Sequence, residues 1–179
     1  IISACGNVID AGINLNVDID QSIKRAVEKG FSYSDYLLFN EKLKNSDTIL
    51  IIADNSGEGV FDKLLIEELN RYDIDIYYAV REVPILNDIT VKEAHEIGID
   101  RICKVISSGC NAPGMILDRG SREFLDIYDS ADIIISKGQG NLEGLSEVNN
   151  GIFFLLKAKC EIVAGLLDVD VGDLVFKEI

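Results

Sequence analysis

Four short clusters combine carboxylates, amides, glycines and basic side chains in a way that suits phosphate chemistry on a metal ion. They are Asp54-Asn55-Ser56-Gly57-Glu58-Gly59, Arg81-Glu82 with Asn87-Asp88, Ser107-Ser108-Gly109-Cys110, and Lys137-Gly138-Gln139-Gly140-Asn141. Asp54, Asp88 and the amide of Asn55 offer hard oxygen donors, the set that Mg²⁺ or Mn²⁺ takes while keeping several waters. Glycines after a strand let backbone N–H groups approach an anion, and a helix N-terminus adds a favourable dipole. Lys137 brings a compact positive charge for phosphate oxygens. Metal, lysine and backbone donors together are a recurring answer to phosphoryl transfer.

Each cluster also has a plain structural explanation. Asp54-Asn55 after a strand reads equally as a turn and helix cap, and Asn87-Asp88 before Ile89-Thr90 as an N-cap. A strand-end lysine such as Lys137 often just reaches solvent, and one Gly-x-Gly run is a weak signal. His95, the single histidine, falls in an amphipathic helix and is expected at the surface or in packing. The weight lies in position, because all four clusters leave predicted strands at the same sheet edge, where open parallel sheets bind ligands.

The elements that must position them follow from hydropathy. Thr48-Ile49-Leu50-Ile51-Ile52-Ala53 is a continuous, β-branched run typical of a strand covered on both faces. Val60, Phe61, Leu64, Leu65 and Leu69 recur at helical spacing. Residues 74–80 give a second strand, 90–97 a short helix, 104–106 a third strand, 121–128 a helix and 132–136 a fourth strand. Residues 152–157 give a fifth strand, and 174–176 a sixth at an edge. This alternation predicts a three-layer α/β/α sandwich on a mainly parallel sheet. The first 45 residues form a helical lead-in, with turn signals at Gly12, Gly30 and Ser34, expected to pack on the sheet or over its edge.

With 179 residues and 47% hydrophobic content, the chain is expected to form a single domain over residues 1–179. It has no apolar run of about 18 residues, so no membrane partner is expected. The opening Ile1-Ile2-Ser3-Ala4-Cys5-Gly6 has neither an initiating Met nor the sections of a signal peptide. It reads as chain that starts inside a helix, so a piece of a longer protein, such as a cleavage product, is expected. A formal charge of −14 argues against nucleic acid and anionic membranes. The four cysteines show no CxxC spacing, which points to reduced thiols in a cytoplasmic protein rather than zinc or disulfides.

Ala53-Asp54-Asn55-Ser56-Gly57-Glu58, Val83-Pro84-Ile85-Leu86-Asn87-Asp88 and Ser136-Lys137-Gly138-Gln139-Gly140-Asn141-Leu142-Glu143 resemble motifs of the metal-dependent damage-control phosphatases. Cys5-Gly6-Asn7-Val8-Ile9-Asp10 resembles a helical segment that precedes the catalytic sheet in the smaller microbial members. The resemblance implies a divalent cation (Mn²⁺, Co²⁺, Ni²⁺ or Mg²⁺) on Asp54, Asn55 and Asp88, and a phosphate on Lys137. It implies a substrate pocket lined by Gln139, Gly140, Asn141 and Glu143, with Asn7 and Arg81 also on the substrate. Relatives more often carry lysine at position 81; arginine keeps the charge but offers a planar fork. They also carry an upstream helical region, with which this chain is expected to associate.

The expected reaction is hydrolysis of phosphate monoesters of small metabolites, such as sugar phosphates or damaged phosphometabolites. Water attacks phosphorus, the backbone near Ser108 and Gly109 helps Lys137 hold the oxygens, and Glu58 positions the water. Direct attack by Asp54 is the variant; however, haloacid-dehalogenase enzymes need a second aspartate where Ser56 stands. An S-adenosylmethionine-dependent methyltransferase, with Glu82 on the ribose, is one alternative. A non-catalytic phosphometabolite-binding protein is the other.

Overall fold

The strands are built from β-branched and large apolar residues, which favour extended backbone and pack on a pleated surface. The computed structural model of the chain describes residues 1–6, 19–148 and 151–179; Asn7 and Gly12 lie outside the described residues. Helices α1 (Ile2–Cys5) and α2 (Ile19–Lys29) come first, then strand β1 (Tyr33–Ser34) and α3 (Tyr36–Leu43). From β2 (Thr48–Ile52) the chain alternates through α4 (Ser56–Leu69), β3 (Asp75–Val80), α5 (Val91–Glu96) and β4 (Lys104–Ser107). It continues through α6 (Arg122–Ser130), β5 (Ile133–Lys137), α7 (Gln139–Leu145), β6 (Phe153–Lys157), α8 (Glu161–Leu167) and β7 (Leu174–Glu178).

These strands form one seven-stranded sheet in the order β1-β7-β6-β5-β2-β3-β4. Every neighbouring pair is parallel except β6 with β7. Successive strand residues point to opposite faces, and the core divides accordingly. Ile49, Ile51, Tyr78, Val80, Ile133, Ile135, Phe153 and Phe176 pack with side chains of α1, α3, α4 and α5. Leu50, Ile52, Ala79, Ile106, Ile134, Phe154 and Val175 pack with those of α6, α7 and α8. The outcome is the expected three-layer sandwich.

Two expectations need correcting. Residues 174–176 are part of β7, which lies inside the sheet between β6 and β1 rather than at an edge. The edge strand on that side is β1, within the segment assigned to helices and turns. Two residues carry no hydropathy period; backbone bonds from Ser32 N–H to Leu174 and from Asp35 N–H to Phe176 hold the segment there. In α4, Val60 and Leu64 are 54% and 49% exposed, while Glu58, Asp62, Ile66 and Leu69 are buried. The stripe that faces the sheet therefore begins with two acids.

The topology dictates where a ligand belongs. The chain leaves β2 towards β3 on one face and leaves β5 towards β6 on the other, yet β2 and β5 are neighbours. Connections that diverge this way open a crevice at the carboxyl ends of the two strands. Asp54 leaves β2 there, and Gly138 leaves β5.

Candidate active site

Asn55 is the N-cap of α4, with extended backbone at φ −85° and ψ 148°. The following glycines are thus helical rather than a loop wrapped on a phosphate. Gly59 is present for packing, since a Cβ there would come 2.7 Å from Ile97 and 2.8 Å from Ile89; at Gly57 nothing among the described residues lies within 4 Å. The segment after β3 folds back on this corner. Ile85 and Asp88 close a tight turn with Leu86 at φ 49°, Ser56 N–H donates to the Asn87 carbonyl at 2.8 Å, and Ile89 N–H donates to the Asp54 carbonyl at 2.8 Å. An antiparallel bridge joins Asn55 to Asp88. Thr90 and Glu93 form a capping box that starts α5 immediately afterwards.

The side chains form one connected network. Asn55 Nδ2 donates to Asp54 Oδ2 at 3.1 Å and to Glu58 Oε1 at 2.8 Å. Arg81, 2% exposed, donates through Nε to Asp88 Oδ2 at 2.7 Å and through a terminal nitrogen to Asn141 Oδ1 at 2.8 Å. Asn141 Nδ2 donates to the carbonyls of Ala53 and Lys137, tying together the ends of β2 and β5. Lys137 directs its three N–H groups to Glu58 at 2.8 Å, Asp62 at 2.6 Å and the Ser3 carbonyl at 3.2 Å. Asp62 also accepts from the hydroxyls of Ser3 and Tyr78.

The structure thus brings together Asp54, Asn55, Glu58, Arg81, Asp88, Lys137 and Asn141. The remaining described candidates are engaged outside this network. Gln139 donates to Glu143 and Cys160 and accepts from Lys159 N–H. Ser108 N–H donates to Val80, and Gly109 N–H to the Ser107 hydroxyl. Gly140 lies under Gly114, whose Cβ would meet the Gly140 carbonyl at 2.2 Å. Glu82 bonds the Ser107 hydroxyl, and His95 pairs with Asp100. Asp62, Tyr78 and Ser3 were not expected at the site from their sequence context. The available signal was the spacing of four that puts Glu58, Asp62 and Ile66 on one helical face.

Electrostatics make the site unusual. Asp54, Glu58, Asp62 and Asp88 are all buried, against the two buried cations Arg81 and Lys137. With every group ionised, the cluster holds a formal excess of two negative charges. Burial first, then the Glu58 and Asp88 carboxylates, push the Asp54 pKa up to about 7, against the pull of Lys137 and Arg81. Burial alone would lower the pKa of Lys137, but Asp62 and Glu58 raise it above its ordinary value, so the ammonium stays charged.

Among the described residues no three His, Cys, Asp or Glu side chains form a metal cage. A cation would instead have two carboxylates and one amide, completed by water and substrate, as Mg²⁺ or Mn²⁺ accepts. The residues fit that use. The excess of two negative charges is what one divalent cation would neutralise, and Asn55 has its NH₂ on two carboxylates, which turns its amide oxygen away from both.

Residues 1–175 match the family profile of the damage-control phosphatase ARMT1-like domain. The chain belongs to this family. It is 45% identical over 175 residues to an uncharacterised protein of Methanocaldococcus jannaschii, covering 94% of this chain and 58% of that protein. It is 41% identical over 177 residues to a damage-control phosphatase of Pyrococcus horikoshii, covering 97% of this chain and 62% of the relative. A damage-control phosphatase of Archaeoglobus fulgidus is 35% identical over 185 residues, covering 99% and 63%. The crystal structure of a DUF89 family protein from P. horikoshii superimposes with a TM-score of 0.92 at 40% identity, over 99% of this chain and 63% of that one. The chain therefore spans about six-tenths of the length of these relatives.

Proposed function

We propose that this protein is a divalent-cation-dependent phosphatase acting on phosphate monoesters of small metabolites, such as sugar phosphates or damaged phosphometabolites. The charge excess carries this reading: four buried carboxylates meet two buried cations at the crevice between β2 and β5. Asp54, Asn55 and Asp88 would hold the cation. Mg²⁺, Mn²⁺, Co²⁺ or Ni²⁺ bound there would polarise a phosphate oxygen and offset charge developing in the transition state. The names of the P. horikoshii and A. fulgidus relatives support the phosphatase part of this reading.

The protein's own residues set the geometry. Arg81 fixes one oxygen of Asp88 and, through Asn141, locks the ends of β2 and β5. Lys137, engaged by three protein acceptors, acts on the phosphate through its charge. Among the described residues nothing lies within 4 Å of a Cβ at Gly57, which would leave the N-terminus of α4 open to an anion. Gln139, Gly140 and Glu143 are the proposed wall for the leaving alcohol, and water is the nucleophile. Ser56, at the place of a second catalytic aspartate, donates its hydroxyl to the Asp88 carbonyl. No helix among the described residues is long and apolar enough to cross a membrane. Cys103, Cys110 and Cys160 are unbridged, in keeping with a cytoplasmic setting.

The test is phosphate release from p-nitrophenyl phosphate and a panel of sugar phosphates. It is run with EDTA and with each of the four metals, beside Asp54→Ala. Metal-dependent release that the substitution abolishes supports the proposal. Metal-dependent binding without turnover by the full protein would move it to a binding function.

A further inference from the structure

Glu58 is fully buried, with Oε1 on Asn55 Nδ2 and Oε2 on Lys137 Nζ, each at 2.8 Å. Neutralising Lys137 does not account for it. Asp62 already pairs with that ammonium at 2.6 Å and is itself held by the Ser3 and Tyr78 hydroxyls at 2.6 and 2.8 Å. A second buried carboxylate on one ammonium adds desolvation cost, so it calls for a separate explanation. Gly6 sharpens the point: any Cβ there would come 2.7 to 2.9 Å from Glu58, so the end of α1 presses directly on this side chain.

An ionised carboxylate only accepts hydrogen bonds, whereas an amide has a donor end and an acceptor end. Glu58 therefore dictates that Asn55 presents its NH₂, and the same NH₂ also reaches Asp54. We infer that Glu58 is a positioning residue that selects which end of the Asn55 amide faces the cation, with Lys137 and Asp62 holding it in place. The inference rests on the proposed cation site. It assigns Glu58 to the orientation of a metal ligand rather than to the attacking water.

Glu58→Gln tests this at almost constant shape. Lys137 can only donate, so the amide introduced at position 58 must turn its oxygen towards Lys137 and its NH₂ towards Asn55. Asn55 then has to reverse, presenting a donor where the cation needs an oxygen. Calorimetric titration of the full protein with Mn²⁺ alone should find affinity reduced about 10- to 100-fold, the usual effect of losing such an outer partner. In an Asn55→Asp background, which has no donor end, adding Glu58→Gln should leave the affinity unchanged or improve it. Should Glu58→Gln fail to fold, Glu58→Ala is taken through the same cycle. Equal losses in both backgrounds, or no loss with Asn55 present, would overturn the inference. Wild-type protein that binds no Mn²⁺, or binds it regardless of Asp54→Asn, would overturn the cation site itself.

Discussion

Gly138 lies against the carboxylate of Asp54 so closely that a Cβ at position 138 would stand 1.9 Å from Oδ2. The end of β5 must therefore carry no side chain for the end of β2 to place its acid. Gly138 also has φ +78°, a conformation L side chains rarely adopt. Gly138→Ala should abolish metal-dependent phosphate release and weaken Mn²⁺ binding at least tenfold. Gly172→Ala is the control, because φ there is +96° and nothing among the described residues lies within 4 Å of a Cβ built there. It should lose about 1–2 kcal/mol of stability by urea unfolding and keep its metal affinity.

Asp54 makes the metal-free protein sensitive to pH. Its pKa of about 7 lies above the unfolded value near 3.9, so between these pH values the folded state binds more protons. The stability this group contributes is present below about pH 4 and lost as pH rises through about 7. Asp54→Asn should therefore stabilise the metal-free protein at pH 8 relative to wild type, by up to about 4 kcal/mol, with little gain at pH 4. Thermal melts in EDTA at the two pH values measure this. A gain that does not depend on pH would show that another cause dominates.

Arg81→Lys keeps the charge and loses the fork. One ammonium cannot reproduce the bonds from Nε to Asp88 and from the terminal nitrogen to Asn141. A cost of about 1–3 kcal/mol in urea unfolding is expected, with weaker Mn²⁺ binding because Asp88 loses its restraint. An unchanged Mn²⁺ affinity would disconnect Arg81 from the cation site.

Tyr78→Phe keeps the packing and removes only the hydroxyl that Asp62 accepts at 2.8 Å. The hydrogen bond is buried and one partner is charged, so roughly 1.5–3 kcal/mol should be lost on chemical denaturation. Because burial, then Asp62, raise the Tyr78 pKa well above its ordinary value, the phenol should remain un-ionised in the folded protein at pH 10. Ultraviolet titration of phenolate absorbance would check this.

What the sequence determined alone was the scaffold and the address of the site. The β-branched runs ending at Ala53, Val80 and Ser136 imply covered parallel strands, and the residues leaving such strands occupy one edge. Composition sufficed there because hydropathy period and strand direction are local properties. Tertiary structure decided what each polar residue does. Lys137, Asn141 and Arg81 read as groups waiting for a phosphorylated substrate, and each is engaged in joining strand ends or holding a carboxylate. Asp62 falls outside the apolar stripe that the sequence predicts for α4, yet it is fully buried beneath the site. A side chain's partners come from elements distant in sequence, here α1, β3 and β5 meeting on α4, and no local pattern encodes that meeting. The edge position of β1 was hidden for the same reason: two residues become a strand only because β7 lies beside them.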